Sequence, residues 1–189
     1  MASAFCLVLV LVVFNCMSVC ALNCDLPQTH SQNNKETFKK LREMRKVMGF
    51  FCMQYIHDFG LPREELEGHQ VQKAQTIAVL HEVTQGVFTL FCAPDSSATW
   101  NNTILDILCS RLHQQLSDLE ACVKQEVEVK QTPTIQNPSV RAVNKYFRNI
   151  RLYLTEKEDS PCAWMTVTLE VSRAMSLSRF LQERLRSKD

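Results

Sequence analysis

Apolar side chains return at every third or fourth position in five stretches of the chain, the spacing that lines up one face of an α-helix. In the first stretch Phe38, Leu41, Met44, Met48 and Phe51 make the stripe, and Asn33 with Glu36 three places later suggests a capping box in front of it. The second runs from about Val71 to Cys92 through Ile77, Leu80, Val87 and Phe91, and stops where Pro94-Asp95-Ser96-Ser97 breaks the pattern. In the third, Leu105, Leu108, Leu112, Leu116, Leu119 and Val123 follow one another in steps of three and four, the clearest helix of the set. Asn137 before Pro138 has the form of an N-cap with proline in the first turn, and it opens a fourth helix carrying Val140, Val143, Phe147, Ile150 and Leu154. The fifth begins near Cys162 and puts Trp164, Val167, Val171, Ala174, Leu181 and Leu185 on one side, with Thr168, Ser172, Arg179 and Glu183 away from it.

Two connections stand out. The polar stretch from His57 to about Gln70, with Asp58-Phe59-Gly60-Leu61-Pro62 inside it, has the length of a crossover loop, and Gln131-Thr132-Pro133-Thr134 is a second loop. Five amphipathic helices joined by one long crossover and shorter loops predict an all-α bundle around one core rather than a simple up-down-up-down bundle. Only 4 glycines and 6 prolines serve all 189 residues, too few turn-makers for a many-stranded sandwich or a glycine-rich nucleotide fold.

The leading residues change where this fold is expected to work. Residues 1–23 carry no charged side chain and hold an apolar run from Phe5 to Phe14, well short of the ~20 residues that span a bilayer. They have the form of a signal peptide, with several plausible cut points near Cys20–Cys24, followed by one domain over 24–189 and a released, extracellular product. Of 9 cysteines, Cys6, Cys16 and Cys20 would leave with that segment, so 9 − 3 leaves six: Cys24, Cys52, Cys92, Cys109, Cys122 and Cys162. No Cys-x-x-Cys pair occurs, which argues for long-range staples over a zinc or redox site, and spacing alone does not choose among the fifteen pairings. If a short connection makes the second and third helices antiparallel, Cys109 falls about two turns, ~10 Å, from the point facing Cys92. That is beyond a disulfide's reach, so of a third disulfide, two free thiols or a mixture, the geometry favours two unpaired thiols.

Charge and motifs remove most other chemistry. The formal charge of +1, with acids and bases interspersed, supplies no field that would select nucleic acid or an anionic membrane. Lys35, Lys39, Lys40, Arg42, Arg45 and Lys46 form a basic run, but Glu36 and Glu43 interrupt it and its repeat is that of a solvated helix face. His57-Asp58 lacks the adjacent cysteines and glycine-rich loop of a secreted phospholipase. His81-Glu82 has Gln85 where a zinc protease helix needs its second histidine. No catalytic constellation and no cofactor are therefore expected. Asn101-Asn102-Thr103 is a glycosylation acceptor at Asn101, whereas Pro138 disqualifies Asn137.

Four blocks then resemble type I interferons, the alpha and omega subtypes most of all: Cys24-Asp25-Leu26-Pro27-Gln28-Thr29-His30, His57-Asp58-Phe59-Gly60-Leu61-Pro62, Leu119-Glu120-Ala121-Cys122, and Ser160-Pro161-Cys162-Ala163-Trp164 continuing through Ser176-Leu177-Ser178 to Leu185. The resemblance spans essentially the whole mature chain. It implies a five-helix cytokine bundle stapled by Cys24–Cys122 and Cys52–Cys162, and a secreted, monomeric antiviral and immunomodulatory ligand of the two-chain type I interferon receptor. By the same carry-over, the high-affinity receptor chain would meet Met53, Ile56, His57, Thr168, Leu169, Arg173, Ser176 and Leu177. The low-affinity chain would meet Phe88, Ile104, His113 and Asn144, although Phe88 and Ile104 also fit plain core packing.

The pattern departs from the family at three of these positions. Alpha and omega members commonly carry arginine where this chain has Ile56 and Thr168, and a basic residue where it has Asn144. Arginine is a frequent hot spot at interfaces, so a weakly active or antagonistic relative is the alternative within the class. Outside it, a secreted helical carrier of an apolar ligand would need an internal cavity.

Overall fold

The computed structural model describes Leu26 and residues 28–46, 50–68, 72–93, 102–130 and 137–187, with the side chains of 44–46, 50, 51, 53 and 126–130 left aside. The expected signal segment 1–23, Cys24, Asn101 and the 131–134 loop fall outside these residues, as does the Met53 side chain. In chain order the elements are α1 (Gln28–Lys46), a 3-10 segment (Phe50–Tyr55), α2 (Arg63–Glu67), α3 (Lys73–Cys92), α4 (Asn102–Lys130), α5 (Pro138–Glu156) and α6 (Pro161–Arg186). Among the described residues there is no strand, and the five long helices are those the apolar stripes predict. The crossover is less of a loop than expected, because α2 forms within it and buries Leu66.

α3 is the central helix and packs against α4, α5 and α6. Its sequence suits that position: Ile77, Ala78, Val79, Leu80, Val83, Val87, Leu90 and Phe91 are buried on more than one side, where a surface helix would show one stripe. α4 contributes Leu105, Leu108, Leu112, Leu116 and Leu119, and α5 contributes Val140, Val143, Phe147 and Ile150. Each such side chain fully removed from water adds about 1.5–3 kcal/mol to stability. α3 and α5 approach closely at Gly86, where a Cβ would lie 2.5 Å from Phe147 Cγ. Among the described residues no helix is long and apolar enough to cross a membrane.

The ends of α5 and α6 follow local chemistry. The Asn137 side chain accepts from the Ser139 backbone N–H with Pro138 in the first turn, and the Ser160 side chain accepts from Ala163 N–H with Pro161 likewise placed. Glu158 and Asp159 both adopt left-handed backbone (φ 50 and 51°), which turns the chain sharply from α5 into α6.

α1 corrects the expected helix start. Asn33 is not a cap but lies inside the helix, buried, with its Oδ1 accepting from Arg111 Nη1 at 3.1 Å. Its neighbours do likewise: Gln115 Nε2 donates to Thr37 Oγ1 at 3.0 Å, and Asn34 Nδ2 donates to Gln182 Oε1 at 2.9 Å. α1 therefore docks on α4 and α6 partly through polar side chains that satisfy one another, as buried polar groups must.

The expectation of two free thiols is also corrected, since Cys92 and Cys109 are disulfide-bonded with Cα atoms 5.7 Å apart. Two unpaired thiols would follow from a tight turn between α3 and α4. In fact nothing forces α4 to start level with the end of α3, because Cys92 ends α3 and α4 begins only at Asn102. A connection of that length reaches more than the ~10 Å needed to bring Cys109 opposite Cys92.

Candidate functional site

The Cys52–Cys162 disulfide ties the 3-10 segment to the start of α6, as the resemblance implies. Three residues further on, the Tyr55 carbonyl accepts two hydrogen bonds, from the Tyr153 hydroxyl at 2.8 Å and the Thr166 hydroxyl at 3.0 Å. Beyond Ile56 and His57 the chain is pinned again: Phe59 is buried, Asp58 Oδ1 accepts from Gly60 N–H at 2.9 Å, and Gly60 takes a left-handed φ of 71°. The His57 ring stacks on Tyr153 with centroids 5.3 Å apart and meets Phe59 edge-on at 4.8 Å. Ile56, 60% exposed, is thus held between two anchors on an otherwise fixed strip of backbone.

On α6, Leu169, Arg173 and Ser176 lie four and three residues apart and face outward between buried neighbours. Arg173 is 58% exposed yet fixed, because its Nη1 pairs at 2.9 Å with Oε2 of Glu170, whose side chain is buried. The Tyr146 hydroxyl donates to the Glu170 carbonyl at 3.4 Å, and burial with the nearby Glu170 charge holds that phenol far above its ordinary pKa. The Glu170 contact draws the guanidinium toward its own turn of α6.

Two residues expected on this face do not reach it. Thr168 is 0% exposed, with its hydroxyl donating to the Trp164 carbonyl at 2.8 Å, and Leu177 is 1% exposed. Ser172 is buried as well, donating to the Thr168 carbonyl at 2.7 Å. The stripe of core residues on α6 is wider than the apolar side chains alone indicate, because small hydroxyl residues can turn inward by bonding to their own helix backbone. Phe180, by contrast, was not singled out. It is 43% exposed and lies four residues beyond Ser176, on the continuation of the same stripe, a position the spacing alone could have revealed.

The second group comes from three helices. Phe88 of α3 and His113 of α4 place their rings 6.5 Å apart. Phe88 and Ile104 are partly buried and pack against the core, so the core-packing reading accounts for much of both, while His113 is exposed. Asn144 is exposed on α5, at an open groove of ≈ 650 Å³ lined also by Pro138, Arg141, Ala142, Lys145 and Arg148.

His57 belongs to the aromatic cluster, His81 Nδ1 lies 3.6 Å from Glu82, and among the described residues no three potential metal ligands gather. Cys122 is disulfide-bonded, and Cys24 lies outside the described residues.

A helical bundle with this crossover is the interferon fold. The structure matches zebrafish interferon 2 with a TM-score of 0.69, over 82% of this chain and 99% of that one at 18% identity. In sequence, the interferon alpha/beta domain family matches residues 26–185. The chain is 53% identical to human interferon alpha-6 and 51% to human interferon alpha-4, each over 189 residues and the full length of both chains. It is 48% identical to pig interferon alpha-1 over 179 residues, 95% of each chain. The chain belongs to the type I interferon family. It is an interferon cytokine, from a family of cytokines rather than enzymes, and the carrier reading falls away.

Proposed function

We propose that this chain is secreted and binds both chains of the type I interferon receptor, starting antiviral and immunomodulatory signalling. The observation that carries the reading is Arg173, an exposed cation locked by buried Glu170 on the same stripe as Leu169 and Ser176. Interface hot spots favour such pre-positioned arginines, because little side-chain entropy is lost on binding. Ile56 and His57, fixed through Tyr55 to α5 and α6, complete the high-affinity face with Met53. Phe88, Ile104, His113 and Asn144 form the low-affinity side. Residues 1–23 act as the signal peptide, Cys24 pairs with Cys122, Asn101 carries glycan, and the released protein is a monomer that does not insert into membranes.

The test is a reporter assay with purified mature protein on cells bearing the receptor chains of the encoding species, and on matched cells lacking either chain. Activation that requires both chains is expected. Failure to activate cells that respond to another interferon contradicts the reading. Binding without activation, together with blockade of that other interferon, identifies an antagonist instead, the reading that exposed, apolar Ile56 favours at a position where the resemblance implies arginine.

A further inference from the structure

Four cations of the described surface pair with a carboxylate one turn away: Lys40 with Glu43 at 2.9 Å, Arg63 with Glu67 at 2.6 Å, Arg173 with Glu170 at 2.9 Å and Arg179 with Glu183 at 3.8 Å. α5 has no such pair among the described residues. Arg141, Lys145, Arg148 and Arg151 are all exposed, and no acid occurs in the helix before its last residue, Glu156. Among the described residues, none of these four head groups forms an ion pair or a side-chain hydrogen bond. At helical pitch the row is about 15 Å long and keeps within about a third of the helix circumference. Three of its members line the ≈ 650 Å³ groove, with the Asn144 amide beside them.

We propose that this face of α5 is a binding site for a linear sulfated polysaccharide. A row of unpaired cations along one axis suits an extended chain of regularly spaced anions, and release of the polyanion's counterions drives such binding. The protein's formal charge is only +1, so the attraction is local to this face rather than a property of the whole molecule. Nucleic acid is disfavoured because Tyr146, Phe147 and Tyr153, the aromatics of α5, are buried and offer bases no stacking platform. A membrane surface is disfavoured because Leu152 is the single large apolar side chain exposed on this helix. The choice of a polysaccharide rests on the extracellular location proposed above; the site itself does not.

The experiment measures binding of the folded, disulfide-intact mature protein to immobilised heparin across a salt series, beside a single-stranded oligonucleotide and phosphatidylserine vesicles. Retention at physiological salt is expected, with a log–log salt slope of about −3. The triple variant Arg141→Ser, Lys145→Ser, Arg148→Ser should lose about tenfold or more in affinity. A charge-matched triple on α1, Lys35→Ser, Lys39→Ser, Arg42→Ser, should stay within about twofold of the parent, since Glu36 and Glu43 already interleave that row. All six residues are exposed, so unchanged thermal melts establish that both variants fold. Absence of heparin binding by the parent overturns the proposal. So does an equal or larger loss in the α1 triple, or oligonucleotide or vesicle binding as tight as heparin's.

Discussion

The Tyr153 hydroxyl donates to the Tyr55 carbonyl across 98 residues of sequence, and Thr166 shares that acceptor. One backbone oxygen therefore fastens the crossover to two helices at once. Tyr153→Phe or Thr166→Val alone should cost about 1 kcal/mol, since the other donor remains. The double variant leaves the carbonyl without either donor and should lose more than the sum. Urea unfolding of the four proteins measures this, and strict additivity would show that the two bonds act separately.

Gly86 is small because Phe147 occupies the space beside it. Alanine there gains about 1 kcal/mol in helix propensity but overpacks the α3–α5 contact by about 1–3 kcal/mol. Gly86→Ala should therefore destabilise the native protein. In a Phe147→Leu background the ring is gone, and the same substitution should be neutral or stabilising. A denaturant midpoint that fails to reverse sign would rule out this contact as the cause.

The Cys92–Cys109 bond closes a separation of 17 residues, for which loop entropy gives about 3 kcal/mol. Replacing both cysteines by serine should lower stability by about that amount. Cys52–Cys162, with a separation of 110, should cost about 4–5 kcal/mol when removed. Peptide mapping under non-reducing conditions should recover Cys92 and Cys109 in one linked peptide, and free thiols at both positions would refute the bond.

How much of this was visible beforehand depended on which force placed each residue. Where burial of apolar groups decides, as for the leucines of α4, periodicity found the helix and its inner face. Where local capping decides, Asn137 and Pro138 marked the start of α5 directly. The first turns of α1 are not legible because Asn33, Asn34 and Thr37 face inward to polar partners on α4 and α6 and His30 is buried beside Asp118, and a hydrophobic pattern carries no signal for them. Thr168 turns inward for a similar reason, its hydroxyl being satisfied by its own helix, which a polar residue in the pattern does not signal. The outward stripe Leu169, Arg173 and Ser176 was legible from spacing, but the Tyr55 anchor and the Glu170 clamp join positions that no local pattern links.

His30 makes a pH dependence expected. It is 1% exposed, and among the described residues neither ring nitrogen has a hydrogen-bond partner. Burial lowers its pKa from the ordinary 6.5, outweighing the opposite pull of the Asp118 carboxylate, and the Arg186 charge lowers it further. The unfolded chain then binds this proton more readily than the folded one, so stability is full above about pH 6.5 and declines as pH falls below it. His30→Gln should flatten that limb relative to the parent in denaturant titrations between about pH 7 and 5. Parallel curves would exclude His30 as the source.

Receptor recognition through the α6 stripe is tested most directly by titrating the mature protein onto the immobilised high-affinity receptor ectodomain of the same species. An Arg173→Ala variant and a Lys35→Ala control on α1 should be run alongside. Nanomolar binding by the parent is expected, weakened about 30-fold by Arg173→Ala, or ~2 kcal/mol, and unchanged by Lys35→Ala. A parent that does not bind, or an Arg173→Ala protein that binds as tightly as the parent, would contradict it.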